Sequence, residues 1–200
     1  MKKIIHFLSV IALAGILLFS ACSPVTMTSW SSPDIKQQVS SVFILTLFEK
    51  LQYMQPFQQT MAANFNGKGI KSLQSLNYME PFKQYEMAVF QKMIDSLGVD
   101  AVLVFSYKGT DVSVNYSPPT YGGFYRGYYG GVYAASPGYW TETNTVNLRA
   151  SLYEVKEDKL IWTGDFQITD PTDVNQVANQ VANEIYTDWQ KKIIVGPFTK

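Results

Sequence analysis

Side chains that could act as nucleophiles or general bases are scarce in this chain of 200 residues. His6 is its only histidine and Cys22 its only cysteine, and both belong to the N-terminal stretch. Without that stretch, no imidazole or thiol remains for Cys–His, Ser–His–Asp or most zinc sites. We therefore expect no enzyme activity, no catalytic residue, no cofactor and no metal site.

Two pairs of neighbouring carboxylates could in principle bind a cation through oxygen. Asp170 and Asp173 stand close together, and so do Glu157 and Asp158. The first pair is expected to serve the start of a helix and the second a tight turn. Paired carboxylates of the glycosidase type depend on distances in space, so a hydrolase with such a pair stays open as an alternative.

The elements that would have to position any site begin after an export signal. Lys2 and Lys3 precede an apolar run over residues 4–19, and the small residues Ser20 and Ala21 follow. A charged start, a short apolar core and small residues at the end are typical of a secretory signal peptide. The apolar run is shorter than the roughly 20 residues that a membrane-spanning helix needs.

The triplet Ser20-Ala21-Cys22 resembles the lipobox of bacterial lipoproteins, although Phe19 stands where that family usually has Leu, Val or Ile. The resemblance implies cleavage before Cys22 and lipidation of Cys22, with palmitate among its acyl groups. The membrane would then be a partner of the protein, bound through this lipid. Ser23 follows the cysteine, where Asp is the inner-membrane retention signal of many bacteria. We therefore expect a lipid-anchored envelope protein, on the outer membrane and facing the periplasm.

The balance of charges argues against nucleic acids as partners. The 16 basic side chains balance the 16 acidic ones, and loss of Lys2 and Lys3 leaves 14 against 16, a net charge of about −2. Arg126 and Arg149 are the only arginines. Nucleic-acid binding needs a clustered positive face, so no nucleic-acid partner is expected.

Hydrophobic periodicity divides the chain into a signal peptide at 1–21, a lipidated cysteine with a flexible tether at 22–40, and one domain at 41–196. Strands are predicted at 41–48, 70–76, 99–107, 145–155 and 159–169. Helices are predicted to begin at Pro56, at Pro81 and, with Asp170 as its cap, at 170–172. The first helix would present Phe57, Met61 and Phe65 on one face, and the second Phe82, Tyr85, Val89, Met93 and Leu97. The apolar stripe predicted for the last helix comprises Val174, Val177, Ala178, Val181, Ala182, Ile185 and Trp189. The order β-α-β-α-β-(insertion)-β-β-α predicts a mixed α/β (α+β) fold with a sheet of about five strands and helices packed on its faces.

A combination of segments carries a resemblance at the level of fold: the lipobox at Cys22, the buried first strand, the segment 97–104, and Leu152-Tyr153-Glu154-Val155 followed by Lys159-Leu160-Ile161-Trp162-Thr163-Gly164. The last part is similar to a hairpin of small envelope lipoproteins of unknown function. Those proteins resemble in fold the N-terminal domain of the Tol-system propeller protein and the core of the curli-secretion lipoprotein. The second likeness implies an alternative function, as a subunit of an outer-membrane secretion or pore assembly.

The insertion at 116–140 has an unusual composition. Nine of its 25 residues are aromatic and six are glycine. Tyrosines on a glycine-rich backbone offer large, adaptable contact area, whereas the alternative is a self-packed loop that only joins two strands. The candidate contact residues are Tyr121, Phe124, Tyr125, Arg126, Tyr128, Tyr129, Tyr133 and Trp140. The sequence thus favours a non-catalytic binding or structural component of the cell envelope, with another envelope protein, peptidoglycan or a second copy of itself open as partner.

Overall fold

The computed structural model describes residues 25–35, 38–117, 120–121, 134–136 and 139–196, and it describes no side chains between 116 and 140. The strands are β1 (Val25–Ser31), β2 (Ser41–Leu47), β3 (Lys71–Gln74), β4 (Ala101–Ser117), β5 (Thr120–Tyr121), β6 (Ala134–Ser136), β7 (Tyr139–Glu154) and β8 (Lys159–Thr169). The helices are α1 (Leu51–Gly67), α2 (Met87–Leu97) and α3 (Val174–Lys191), and a 3-10 turn spans Ser75–Asn77.

Six strands form one mixed sheet in the order β1-β8-β7-β4-β2-β3, and β5 pairs with β6 separately. β2 runs parallel to both β3 and β4, because a helix crosses over between each consecutive pair. β4, β7, β8 and β1 are antiparallel to their neighbours. The predicted mixed α/β class and the predicted hairpin of β7 and β8 are confirmed, and the sheet has one strand more than expected.

The additional strand is β1, and it corrects the predicted tether. Val25–Ser31 pairs along its whole length with β8, so these residues are part of the sheet. Val25 and Met27 pack against the core, while Thr26 and Thr28 are exposed. This alternation is a strand pattern, but its Ser and Thr residues resemble the composition of a linker.

One face of the sheet is covered by α1 and α3. Phe57, Met61 and Phe65 of α1 are buried as the sequence predicts, and the rings of Phe65 and Trp189 stack with centroids 5.5 Å apart. The predicted apolar stripe of α3 is confirmed, and its buried members are Val177, Ala178, Val181, Ala182, Ile185 and Trp189. These helices and the inward side chains of the central strands form the main core.

The second face is covered only in part, by α2. Ile94 of that helix is buried with Phe43, Val99 and Val102 in a smaller apolar cluster. The predicted face of α2 is wrong in its first half, because residues 81–86 are not helical, Phe82 is exposed with a φ of 63°, and Val89 is exposed within the helix. A positive φ is incompatible with the helix that Pro81 was expected to open.

Two other helix starts differ from prediction. α1 begins at Leu51, so Pro56 lies inside the helix at a position where it removes one backbone donor. The N-cap of α3 is Asp173, whose carboxylate accepts a bond from the Gln176 backbone N–H at 3.1 Å. The predicted cap Asp170 instead has a φ of 45° and precedes the helix by several residues.

None of the helices within the described ranges is long and apolar enough to cross a bilayer.

Candidate interaction surface at the ribbon end of the sheet

β4 and β7 continue well beyond the other strands. Pairing of β4 with β2 ends at Ser106, and pairing of β7 with β8 ends at Thr145. Apart from the bonds between Asn144 and Asp170, residues 112–117 and 139–144 therefore pair only with each other, in a two-stranded ribbon about 20 Å long at 3.4 Å per residue. We call these two segments the ribbon, and the end of the sheet from which they project the ribbon end.

A β-bulge marks the base of the ribbon. The register between β4 and β7 shifts between Tyr107 and Gly109, and Gly109 has a φ of 125° that only glycine adopts without strain. The bulge leaves Thr110 opposite Val146, and the Tyr107 and Thr110 hydroxyls lie 2.8 Å apart. A bulge increases local twist, so it helps to aim the ribbon away from the sheet.

The ribbon has two different faces. Val112 and Val114 share the face that continues from the helix-covered side of the sheet, and they are 57% and 58% exposed. Ser113 and Asn115 lie on the other face and are exposed. The valines thus carry apolar groups out of the folded core and into solvent, on a face that they share with Asn144 and Glu142 directly opposite them.

An apolar cleft of about 520 Å³ lies at the ribbon end, on the helix-covered side. It is bounded by the starts of α1 and α3 and by β4 and β7. Its apolar lining comprises Phe48, Tyr53, Phe57, Tyr107, Val146, Leu148, Val174 and Val177, with Pro171 at its edge. Glu49, Lys50, Thr172 and Asp173 supply its polar rim, so the cleft suits an apolar or aromatic group with a polar end.

The second face carries a shallower and more polar depression of about 400 Å³ across β1, β8 and β7. The Arg149 guanidinium donates two bonds to Asp165, at 2.6 and 2.8 Å. These bonds hold the pKa of Asp165 below its ordinary value. Both side chains are about half exposed, so we interpret the pair as a solvated cross-strand contact.

The carboxylates that the sequence singles out have local partners. The Asn144 backbone N–H donates to Asp170 at 2.8 Å, and Asp173 caps α3. Glu157 and Asp158 lie in the turn between β7 and β8, where Asp158 has a φ of 49°. Among the described residues, no group of three or more His, Cys, Asp or Glu side chains could hold a metal ion.

The predicted site residues lie almost entirely outside the described part of the chain. Cys22, Phe124, Tyr125, Arg126, Tyr128, Tyr129 and Tyr133 are not described, and for Tyr121 and Trp140 only the backbone is. Trp140 is opposite Tyr116 in the ribbon, and Tyr121 is opposite Ala134 between β5 and β6. The insertion is therefore carried on the ribbon, but the contact roles of these side chains remain predictions.

Sequence reasoning missed both the cleft and the length of the ribbon. The alternation of polar and apolar residues that runs on from Asp111 to Val114 is the available signal for the longer strand. The cleft has no comparable signal, because its walls come from four separate elements that meet only in the fold.

No family model matches this chain, and no curated protein matches it. Among solved structures it is similar to the PelC dodecamer from Paraburkholderia phytofirmans, with 12% identity, a TM-score of 0.48, and coverage of 84% of this chain and 98% of that one. It is also similar to lipoprotein GNA1162 from Neisseria meningitidis, with 14% identity, a TM-score of 0.42, and coverage of 76% and 99%. At this level of similarity neither structure identifies a function for this chain.

Proposed function

We propose that this chain is a lipid-anchored, non-catalytic binding or structural component of the bacterial cell envelope, and that its Tyr/Gly-rich insertion is the contact surface. The observation that carries the proposal is the ribbon. A pairing of β4 and β7 that runs about 20 Å past the sheet places the two ends of the insertion away from the core. A segment that served only to connect two strands would not need such a support.

The anchor is the lipid on Cys22, and the proposed location is the periplasmic side of the outer membrane. A domain tethered to one membrane meets partners on that membrane at a high effective concentration. Modest contacts made by the insertion would then be sufficient for stable association. This favours a partner that is itself fixed in the envelope over a small soluble ligand.

Composition suggests how the insertion binds. Tyrosine combines a large apolar ring with a polar tip, and it loses little conformational entropy when it is fixed. Glycines between the rings let the backbone approach a partner closely. Arg126 adds a cation that can lie over an aromatic ring. Another envelope protein, peptidoglycan and a second copy of the chain all offer suitable surfaces.

The test is crosslinking in membranes followed by affinity purification. The wild type is compared with a variant in which Tyr125, Tyr128 and Tyr129 are changed to Ser. We expect the variant to lose most of its crosslinked partners while its amount in the membrane stays the same. Tyr153→Ser is the matched control, because Tyr153 is 38% exposed on β7 far from the ribbon.

Recovery of the same partners in the same amounts by the triple variant would show that the contact surface lies elsewhere. Loss of partners by Tyr153→Ser as well would point to a general effect of removing exposed tyrosines.

A second candidate function is a subunit of an outer-membrane secretion or pore assembly. The observation that favours it is the alternation of Val112 and Val114 with polar residues along a strand that leaves the domain. Electron micrographs of the detergent-purified protein distinguish the two. Rings of uniform size support an assembly, and isolated particles support a tethered binding domain.

A further inference from the structure

The chain enters the sheet at the end from which the ribbon leaves it. Val25 is opposite Ile168, Ile168 is opposite Val146, and Val146 is opposite Thr110. Neighbouring strands lie about 4.8 Å apart, so these four residues form one row about 14 Å wide across the sheet. The first residue of β1 and the base of the ribbon therefore share the ribbon end.

This placement limits the distance between the domain and the membrane that would hold the lipid on Cys22. Only Ser23 and Pro24 separate Cys22 from Val25, and three residues span at most about 10 Å. The ribbon continues for about 20 Å beyond the row. With lipid on Cys22, as the proposed function requires, the ribbon extends further from the row than the three residues between the row and the lipid can reach. It meets the bilayer whenever the ribbon end faces the membrane.

The side chains at the ribbon end suit such a contact. Six large apolar side chains there are exposed by 43% or more, and they are Leu47, Leu51, Tyr53, Tyr107, Val112 and Val114. Exposed apolar side chains grouped at one end of a domain mark an interaction site more often than a solvated surface. Tyrosine is enriched where a protein meets the headgroup region of a membrane.

The charges at the ribbon end indicate which interaction would stabilise a contact with the membrane. The acidic groups there are Glu49, Asp111, Glu142, Asp170 and Asp173, and the basic groups are Lys50 and Lys108. Because acidic groups outnumber basic ones, anionic headgroups give no net attraction. The contact would depend on apolar burial and on the anchor, and added anionic lipid would not strengthen it.

We propose that the ribbon end rests on the bilayer that holds the lipid anchor, with Val112 and Val114 of the ribbon in the headgroup region and Tyr53 and Tyr107 nearer the domain, at the membrane surface. This inference rests on the proposed lipidation of Cys22. It assigns an orientation to the domain. The opposite end, with the exposed Ile193 beyond α3, points away from the membrane, about 27 Å from the start of that helix.

The orientation is tested on the native lipoprotein reconstituted into vesicles. An environment-sensitive fluorophore is attached to Val112→Cys, Tyr53→Cys or Ile193→Cys, and quenching by nitroxide-labelled lipid is measured. The vesicles are phosphatidylcholine alone or mixed with phosphatidylglycerol. We expect the strongest loss of emission for the label at 112, a smaller loss for the label at 53 and little for the label at 193, with no stronger quenching when phosphatidylglycerol is present.

Unmodified protein serves as the control, because a lipidated Cys22 has no thiol to label. Labelling of that protein, or failure to float with vesicles in a density gradient, overturns the proposed anchor and this inference with it. Protein that floats without labelling at Cys22, but shows no more quenching at 112 and 53 than at 193, overturns the orientation alone. Quenching that appears only with phosphatidylglycerol contradicts the apolar contact.

Discussion

The Asp188 carboxylate of α3 accepts a 2.8 Å hydrogen bond from the Ser29 hydroxyl of β1, 159 residues away in sequence. The same oxygen accepts a 2.7 Å bond from the Trp162 indole N–H and lies 2.9 Å from the Lys192 ammonium. Burial alone would raise the pKa of Asp188, but the bonds from Lys192, Trp162 and Ser29 outweigh it and hold that pKa below its ordinary value. One carboxylate thus joins the edge strand to the core.

We expect Asp188→Asn to lower the free energy of unfolding by about 1–3 kcal/mol at neutral pH, because an amide cannot balance the mostly buried Lys192 ammonium. The folded pKa of Asp188 is depressed, so its contribution is present above the unfolded pKa of about 4 and is lost as pH falls through the folded value. Denaturant titrations should therefore show a gap between the two proteins that closes in acid. A gap independent of pH would contradict this assignment.

Asp165→Asn is the matched control for that experiment. Asp165 also pairs with a cation, but its side chain is 56% exposed and that of Arg149 is 48% exposed. Water screens such a pair, so we expect a loss below about 1 kcal/mol in the same titration.

Replacement of Gly164 in β8 by a larger residue is predicted to destabilise the domain. A Cβ there would lie 2.7 Å from the Trp162 ring and 3.3 Å from the Phe166 ring, and both rings are fully buried. We expect Gly164→Ala to lower the unfolding free energy by about 1–3 kcal/mol, since the core must shift to accept it. Gly67→Ala is the control, because nothing lies within 4 Å of its Cβ position. Equal melting temperatures for the two variants would disprove the packing argument.

The domain is predicted to fold without its insertion. Asn115 and Thr141 are directly opposite in the ribbon, so residues 116–140 can be replaced by Asn-Gly, which favours a two-residue hairpin turn. We expect cooperative melting close to that of the wild type in circular dichroism. Leu103→Asp, at a fully buried position of β4, should by contrast unfold the domain. A deletion variant that aggregates would mean that the insertion belongs to the core.

Replacement of Cys22 by Ala is expected to release the protein from membranes. The motive is the lipobox-like Ser20-Ala21-Cys22, and stable anchoring normally requires more than one lipid chain. Fractionation of cells followed by a high-salt wash measures the effect, with Ser23→Ala as the control. A variant that stays bound after the wash would require an anchor other than the lipid on Cys22.

Local periodicity in the sequence determined much of the architecture. The strand at 159–169 was predicted with the bounds observed for β8, and six of the seven residues predicted for the apolar stripe of α3 are buried. Both patterns repeat with the period of their own element, so the partition of side chains between core and solvent is visible in the sequence. The order of helices and strands then implied parallel crossovers and a mixed sheet.

The tertiary structure alone decided which segments meet. The composition of β1 resembles that of a linker. It becomes a strand because it pairs with the free edge of β8 and because its Ser29 hydroxyl donates a hydrogen bond to Asp188. The cleft exists only where the starts of α1 and α3 approach β4 and β7. The shared end of Val25 and the ribbon follows from register across four strands. Such relationships join residues far apart in the chain, and no local pattern records them because their free energy comes from long-range pairing and burial.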